Sequence, residues 1–365
     1  MAGRYQIDPL YDVLKAPKHQ YRPEEIARLF SKVSKRRVEH LAGVLSHYIV
    51  ENLPAAIEKR GGLADYRTNP YVLMASANIM ELDSTSRFAD FLFNNKLYMG
   101  LESSFGKSIE TAIVGAYPIG VTAGHRWIEP PEKVAEAASL KGMGREQKAR
   151  KRRESVWREI DTSCVLHNKR FLLSIKSGPN CINDTQVQAM TDAIASNHQR
   201  WFDETRRTYP RVRTIDIIVG LTYGTDRTTN NKENQILAKL VDAGFIEEDR
   251  TRKPGVLVHQ KSKATRVYRR IGQDFWALVG RPSSPVAAQF MFLEVLLSLA
   301  RALSRGIQQA DLEVRINEKI RALSKALTQL TFPRRGLPPW IGQDLSDAEL
   351  FWFATAITAF YDEGI

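Results

Sequence analysis

A chain of 365 residues with 43% hydrophobic and 9% aromatic side chains carries enough apolar surface for a large buried core, which excludes a mainly disordered protein. Its 53 Lys and Arg outnumber its 41 Asp and Glu, and the net charge of +12 favours polyanionic partners such as nucleic acid or an acidic membrane. Two cysteines are too few for a secreted disulfide framework, no signal-peptide arrangement is present, and no run of about 18 apolar residues suggests a membrane span, so a cytosolic location is expected.

Residues 1 to 60 read as helical. Pro23-Glu24-Glu25 opens a helix, a basic knot follows from Lys32 to Arg37, and apolar spacing resumes from Val38 to Ile49 with a stop expected near Pro54. Gly61-Gly62 and Asn69-Pro70 mark loops. Ser84 to Tyr117 predicts one or two helices, with Phe88, Phe91, Leu92, Leu97 and Leu101 on an apolar face that Ile109, Ile113 and Val114 continue. Glu110 lies beside Ile109 and Ile113, where a carboxylate can turn inward to a metal or remain a solvated helix charge. Between Glu129 and Arg158 the chain becomes Pro-, Ala- and charge-rich. Arg145, Lys148, Arg150, Lys151, Arg152, Arg153 and Arg158 are set against only Glu146 and Glu154, which suits a solvated helix, a linker or a phosphate-contacting segment. Trp157 is the aromatic that can anchor it.

The stretch from Glu159 to Gln188 predicts a hairpin. Ser163 to Leu166 and Phe171 to Ile175 have strand composition, and His167 to Arg170 supply the turn. With Asn168 and Lys169 as the turn, His167 faces Arg170 and Asp161 faces Lys176, and opposed residues share a sheet face. A carboxylate and an ammonium side by side are either an ordinary cross-strand ion pair or the start of a metal-dependent site. Cys164, His167 and Cys181 make at most a partial zinc set, because a structural site needs four ligands and no CxxC pair exists; Cys164 reads as an apolar strand residue.

Gly178-Pro179 breaks the chain after the hairpin, and Asp184 or Asn183 caps a helix through Val187, Met190, Ile194 and Trp201 to about Thr208. Val212 to Tyr223 is so apolar that a strand covered on both faces by helices is expected. Asn231 to Leu240 forms a helix, and Val256 to Val258 with Val267-Tyr268 form a ribbon. These either build a winged helix or continue the α/β core, and continuation is the favoured reading. From Pro285 helices dominate. The surplus of apolar residues from Phe290 to Leu299 suits a buried helix or a dimer interface, and Ser346 with Glu349 forms a capping-box pattern ahead of a closing helix to Tyr361. The order of elements predicts a mixed α/β sheet core flanked by helices over 85–280, with helical additions over 1–84 and 281–365.

Gly106 and Glu110 on a helix, then Ile160-Asp161, a hairpin, Ser174-Ile175-Lys176, a helix and a strand together resemble the PD-(D/E)XK nuclease superfamily. SIKSGPNCINDTQVQAM (Ser174 to Met190), GLTYG (Gly220 to Gly224) and GQDFW (Gly272 to Trp276) more narrowly resemble type II restriction endonucleases, the group reading GGNCC-like sites among them. The resemblance implies a restriction-endonuclease-like fold and Mg²⁺-dependent hydrolysis of phosphodiester bonds in double-stranded DNA. Asp161 then corresponds to the metal-binding acid, Lys176 to the lysine that activates water and stabilises charge, and Glu110 to the helical acid of the metal shell. Ser174 departs from the Asp or Glu usual at its position, and Ile160 from the proline. The missing carboxylate makes Glu110, Asp184 and Glu102, in that order, candidates for the remaining ligand, and leaves Gln186 and Gln188 to orient water or touch DNA. The resemblance also implies a homodimer gripping duplex DNA in a basic cleft, with Arg150, Lys151, Arg152 and Arg153 and the Lys261 to Arg270 segment as candidates for the grip. A DNA methyltransferase is expected in the same restriction-modification system. The competing reading is a non-catalytic DNA-binding protein that uses 231–270 as a winged helix.

Overall fold

The nearly unbroken apolar run at Ile215 to Leu221 lies inside a six-stranded mixed sheet, where only burial on both faces suits it. The computed structural model describes residues 23–59, 63–66, 68–115, 125–176, 182–224, 232–244, 246–248, 256–259, 264–282, 290–306, 309–330 and 337–361. Cys181, Lys261 and the Gly61-Gly62 and Gly178-Pro179 breaks lie outside them, and the side chain of Glu102 is likewise outside the description.

Before the sheet come α1 (Pro23–Phe30), α2 (Lys35–Glu58), α3 (Pro70–Ile79), α4 (Thr85–Gly115), α5 (Pro131–Ser139) and α6 (Arg145–Arg153). The core follows as β1 (Thr162–Leu166), β2 (Lys169–Lys176), α7 (Asp184–Thr208), β3 (Thr214–Leu221), α8 (Lys232–Asp242), β4 (Ile246–Glu248), β5 (Val256–His259), β6 (Thr265–Ile271) and α9 (Gln273–Gly280). The chain closes with α10 (Met291–Gly306), α11 (Gln309–Leu327), α12 (Pro339–Asp344) and α13 (Asp347–Tyr361). Among the described residues no helix is long and apolar enough to cross a membrane.

The strands lie in the order β1-β2-β3-β6-β5-β4. β1 and β2 are the expected antiparallel hairpin, while β2, β3 and β6 run parallel; β5 pairs antiparallel with β6, and β4 antiparallel with β5. Parallel neighbours need a long crossover, which α7 provides between β2 and β3. The ribbon of 246–271 therefore continues the central sheet and is not a separate wing. α7 and α8 bury Ile215, Ile217, Val219 and Leu221 on one face together with Leu172, Trp157 and Trp201. On the other face α9 packs so closely that a Cβ at Gly220 would lie 2.6 Å from the ring of Phe275. Trp157 is fully buried and its indole N–H donates to Glu204 Oε2 at 2.8 Å, so it anchors the basic segment as expected.

The hairpin register differs from the expected one. Leu166 pairs with Lys169 and Thr162 with Leu173, so the turn is His167-Asn168, one residue earlier. His167 takes a left-handed backbone (φ 57), and the carbonyl of Asn168 accepts the N–H groups of Arg213 at 2.7 Å and Thr214 at 3.3 Å, which fixes the turn against the start of β3. His167 consequently does not face Arg170; Val165 does.

One side chain gathers the elements around this hairpin. Arg170 is fully buried and makes a bidentate pair with Glu132 of α5, Nη1 to Oε1 at 2.8 Å and Nη2 to Oε2 at 2.7 Å. It also donates to Thr205 Oγ1 of α7 at 2.9 Å and Ser163 Oγ of β1 at 3.2 Å, between the rings of Trp157 and Tyr209. Burial works to raise the Glu132 pKa, but the bonds and charge of Arg170 outweigh it and hold the carboxyl below its ordinary range.

The chain divides into two compact units, 1–45 with 106–301 and 46–105 with 302–365; the sequence reading placed its boundaries at 84/85 and 280/281. In the second unit Ile57, Tyr66, Leu73, Phe88, Phe93, Leu323, Leu327 and Trp352 form the core, and the Trp352 indole donates to Leu82 O at 2.7 Å. α2 runs through Pro54 to Glu58 instead of stopping there, and the added turn places Ile57 in this core. The Ser346–Glu349 capping box forms as read, with Ser346 N–H to Glu349 Oε2 at 2.7 Å and Glu349 N–H to Ser346 Oγ at 3.2 Å.

Removing one partner of the Arg170–Glu132 pair strands a buried charge, so Arg170→Met or Glu132→Gln is expected to cost about 3–5 kcal/mol in urea unfolding, and the double variant less than the sum. Because the Glu132 pKa is depressed on folding, the pair's contribution is full above the ordinary value of 4.5 and is lost as pH falls through the folded value. The wild-type excess over Glu132→Gln should shrink on acidification, measured as the difference in unfolding midpoints.

Candidate active site at the open end of the hairpin

β2 is paired with β1 over Lys169–Leu173 and with β3 along its whole length, so Lys176, its last residue, is held by the pairing with Leu221 of β3. Asp161 stands just beyond the Thr162–Leu173 pair and does not lie opposite Lys176. Regular alternation stops there, because Thr162 and the N–H of Asp161 both meet Leu173, whereas Ser174 and Lys176, two apart on β2, share a sheet face. Asp161 is held at both ends. Its N–H donates to Leu173 O at 2.9 Å, and its Oδ2 accepts the N–H of Ile175 at 2.6 Å.

The carboxyl of Asp161 has a raised pKa. Burial is the largest cause; the Ile175 N–H and the charges of Lys176 and Lys133 oppose it, and the charge of Glu110 adds to it. Glu110, on α4, is thus within electrostatic reach of Asp161. Ser174 is fully buried, and its hydroxyl has no hydrogen-bond partner among the described residues. The hydroxyl is closed to solvent.

Two further charges surround the group. Lys133 of α5 donates from Nζ to Ile160 O at 2.8 Å, directly before Asp161. Glu159 Oε2 lies 4.0 Å from Lys176 Nζ, with both side chains largely buried, and Glu159 Oε1 lies 3.3 Å from Arg158 Nε. Sequence reasoning missed both Glu159 and Lys133. The signal for Glu159 was alternation: Ile160 is fully buried in the core, so the residues flanking it turn to the opposite side. Lys133 offered no signal, because its position depends on how α5 docks.

GLTYG and GQDFW meet at the same end of the sheet. Thr222 N–H donates to Lys176 O at 3.1 Å, Trp276 Nε1 to Thr222 O at 2.8 Å, and Gly272 N–H to Leu221 O at 2.9 Å. Gly272 has φ 53, and a Cβ there would come within 2.4 Å of Gly224 O, so the close approach of the two segments needs glycine.

The other expected residues lie elsewhere. Asp184 is exposed and pairs with Lys232, whose bond and charge lower its pKa; its electrostatic neighbours are Lys232 and Lys239 and not Asp161, so the second-choice ligand is not brought to the site. Gln186 completes a capping box with Asn183, accepting the Asn183 N–H at 3.1 Å while its own N–H donates to Asn183 Oδ1 at 2.8 Å. Gln188 bonds Asp192 at 2.8 Å and receives Lys239 Nζ at 2.6 Å, joining α7 to α8. Arg150, Lys151, Arg152 and Arg153 occupy α6, which has no buried residue; Arg150 and Lys151 lie 3.6 and 3.5 Å from Glu154. Cys164 is buried in β1 with its thiol pushed up to about 12 by burial, as suits an apolar strand residue.

Among the described residues no three of His, Cys, Asp and Glu gather as a metal-binding group. The donor set nevertheless fits Mg²⁺ in kind. This ion takes hard oxygens and commonly only one or two protein carboxylates, the rest being water and substrate phosphate. Asp161 has one oxygen engaged by Ile175 and the other remaining, and the repulsion between Asp161 and Glu110 is what a divalent cation relieves. No protein-family model matches the chain, and no curated protein matches it.

A raised Asp161 pKa means that the ionised carboxylate is costly in the fold. That cost is absent below the unfolded value of 3.8 and grows as pH rises through the folded one. Asp161→Asn should therefore melt higher than wild type at about pH 8, with the gain vanishing near pH 4; equal melting temperatures at both pH values would contradict this. Ser174→Ala removes a buried hydroxyl with no partner and is expected to leave the unfolding midpoint unchanged or raised.

Proposed function

We propose that this chain is a Mg²⁺-dependent, site-specific endonuclease acting on double-stranded DNA in the cytosol. It would be a homodimeric type II restriction enzyme with a restriction-endonuclease-like core, working beside a DNA methyltransferase. The observation that carries the reading is the grouping of Asp161, Glu110 and Lys176 at the rigid open end of one hairpin. Asp161 and Glu110 would hold the ion, which when bound supplies Lewis-acid activation of the phosphate and of water. Lys176 faces the charge that develops on the phosphoryl oxygens and lowers the cost of removing a proton from the attacking water. Water oxygen would bond to phosphorus as one ester P–O bond breaks, leaving a phosphate and a hydroxyl end.

A groove of about 560 Å³ beside α5 and α6 supports a polyanionic partner. Lys133, Lys151, Arg152, Arg158 and Arg200 contribute cations to its wall, while of its glutamates Glu136 is bonded to Ser155 and Glu154 lies against Arg150 and Lys151. Lys133 and Arg158 belong both to this wall and to the surroundings of 159–161.

Purified protein incubated with plasmid DNA should give discrete fragments with Mg²⁺ and none with chelator. Asp161→Ala and Lys176→Ala should abolish cutting while keeping DNA affinity within a few fold. Replacing Arg150, Lys151, Arg152 and Arg153 together by Ala should weaken binding at every sequence and flatten its salt dependence. Binding without cleavage in either Mg²⁺ or Mn²⁺ would instead establish a non-catalytic DNA-binding protein.

A further inference from the structure

We infer that Glu159 is a positioning residue for Lys176, a role that rests on the nuclease reading above. In the usual arrangement of a strand acid two residues before the lysine, that acid stands beside the ammonium; here the position is Ser174, which is fully buried and carries no charge. The carboxylate beside Lys176 comes instead from the neighbouring segment, with Glu159 Oε2 at 4.0 Å from Nζ. The two side chains are 15% and 19% exposed, so solvent screens their attraction less than it would on an open surface.

Local structure explains why Glu159 can do this. Ile160 N–H donates to Trp157 O at 3.1 Å, closing a tight turn, and both Trp157 and Ile160 are fully buried. Glu159 and Asp161 flank that anchored residue; Glu159 reaches Lys176 at the end of β2, and Asp161 accepts the N–H of Ile175. Lys133 holds the carbonyl of Ile160 from the other side at 2.8 Å, so the backbone that presents the two acids is pinned. Asp161 has one oxygen committed to Ile175, whereas the partners of Glu159 among the described residues are the flexible cations Lys176 and Arg158. Glu159 thereby holds the ammonium at the Asp161 side of the hairpin, and a phosphate arriving at Lys176 replaces the carboxylate as its partner. A lysine on four rotatable bonds is otherwise free to leave the reacting position, and misplacement of a catalytic group by about 1 Å costs on the order of 10²-fold in rate.

Three measurements on the full-length protein test this. Glu159→Gln should lower kcat at least tenfold with KM for DNA changed less than threefold, and Glu159→Asp should restore part of the loss. Amine acetylation followed by mass spectrometry, in the absence of DNA, should show Lys176 more reactive in Glu159→Gln than in wild type, relative to the other lysines. The stabilisation of the fold by Mn²⁺, read as a melting shift, should persist in Glu159→Gln and be lost in Asp161→Asn. Wild-type cleavage with an unaltered kcat in Glu159→Gln, or unchanged Lys176 acetylation, overturns the inference and leaves the nuclease reading standing. Loss of the Mn²⁺ shift in Glu159→Gln makes Glu159 a metal ligand and equally overturns it. A wild-type protein that cuts nothing defeats the nuclease reading itself, and the acetylation result then decides alone whether Glu159 holds Lys176.

Discussion

The fully buried guanidinium of Arg170 is the constraint on which the hairpin's surroundings depend. A charge in that position is tolerable only if its partners converge on it from several elements, and they do: Glu132 from α5, Ser163 from β1 and Thr205 from α7. Thr208, also on α7, adds a bond to Glu132 Oε1 at 3.1 Å, so the carboxylate is tied to the helix as well as to the arginine. The pair fixes geometry more than it adds stability, since an apolar replacement of both partners can cost little. Its consequence is positional. With Glu132 locked, Lys133 is delivered to the carbonyl of Ile160, one residue before Asp161.

From that fixed point the charges at the open end arrange themselves by reach. Asp161 and Lys176 come from paired or nearly paired backbone, so their separation is set by sheet geometry. Glu110 comes from a helix and acts on Asp161 through space, and Glu159 reaches Lys176 from the tight turn before β1. Acids and bases therefore alternate around the hairpin end. Burial raises the Asp161 carboxyl pKa against the opposing pull of Lys176 and Lys133, and a divalent cation would act in the same direction as those two charges.

Much of this was legible because short-range rules decide it. The caps at Asn183–Gln186 and Ser346–Glu349 are local exchanges of two bonds, and α7 and α13 begin where those residues say they must. The apolar run of β3 announces a strand covered on both faces. The hairpin turn was misplaced by one residue because composition does not distinguish His167-Asn168 from Asn168-Lys169. What decides is a long-range bond, from the N–H groups of Arg213 and Thr214 to the carbonyl of Asn168. The charge of Lys176 still acts on Asp161, although the two residues are not directly opposed. The run through Pro54 and the joining of 46–105 with 302–365 were not legible for the same reason: packing of Ile57 and Trp352 in one core, far apart in sequence, decides them.

Ser174 shows how the fold limits where a carboxylate can stand. Its position lies on β2 between two paired neighbours, on the face that α7 covers with Leu172 and Val219, and is closed to water. An aspartate there would need a bound cation or a second proton to be tolerated beside Asp161, whose own carboxyl is already raised by burial. A hydroxyl without a partner costs far less than an unpaired carboxylate, which makes serine compatible with a sheet that must be stable before any ion or phosphate arrives. Acids before β1 and on α4 avoid this conflict, because Glu159 and Glu110 both retain some exposure. The carboxylates near Lys176 and Asp161 therefore come from the segment before β1 and from α4, and not from the middle of β2.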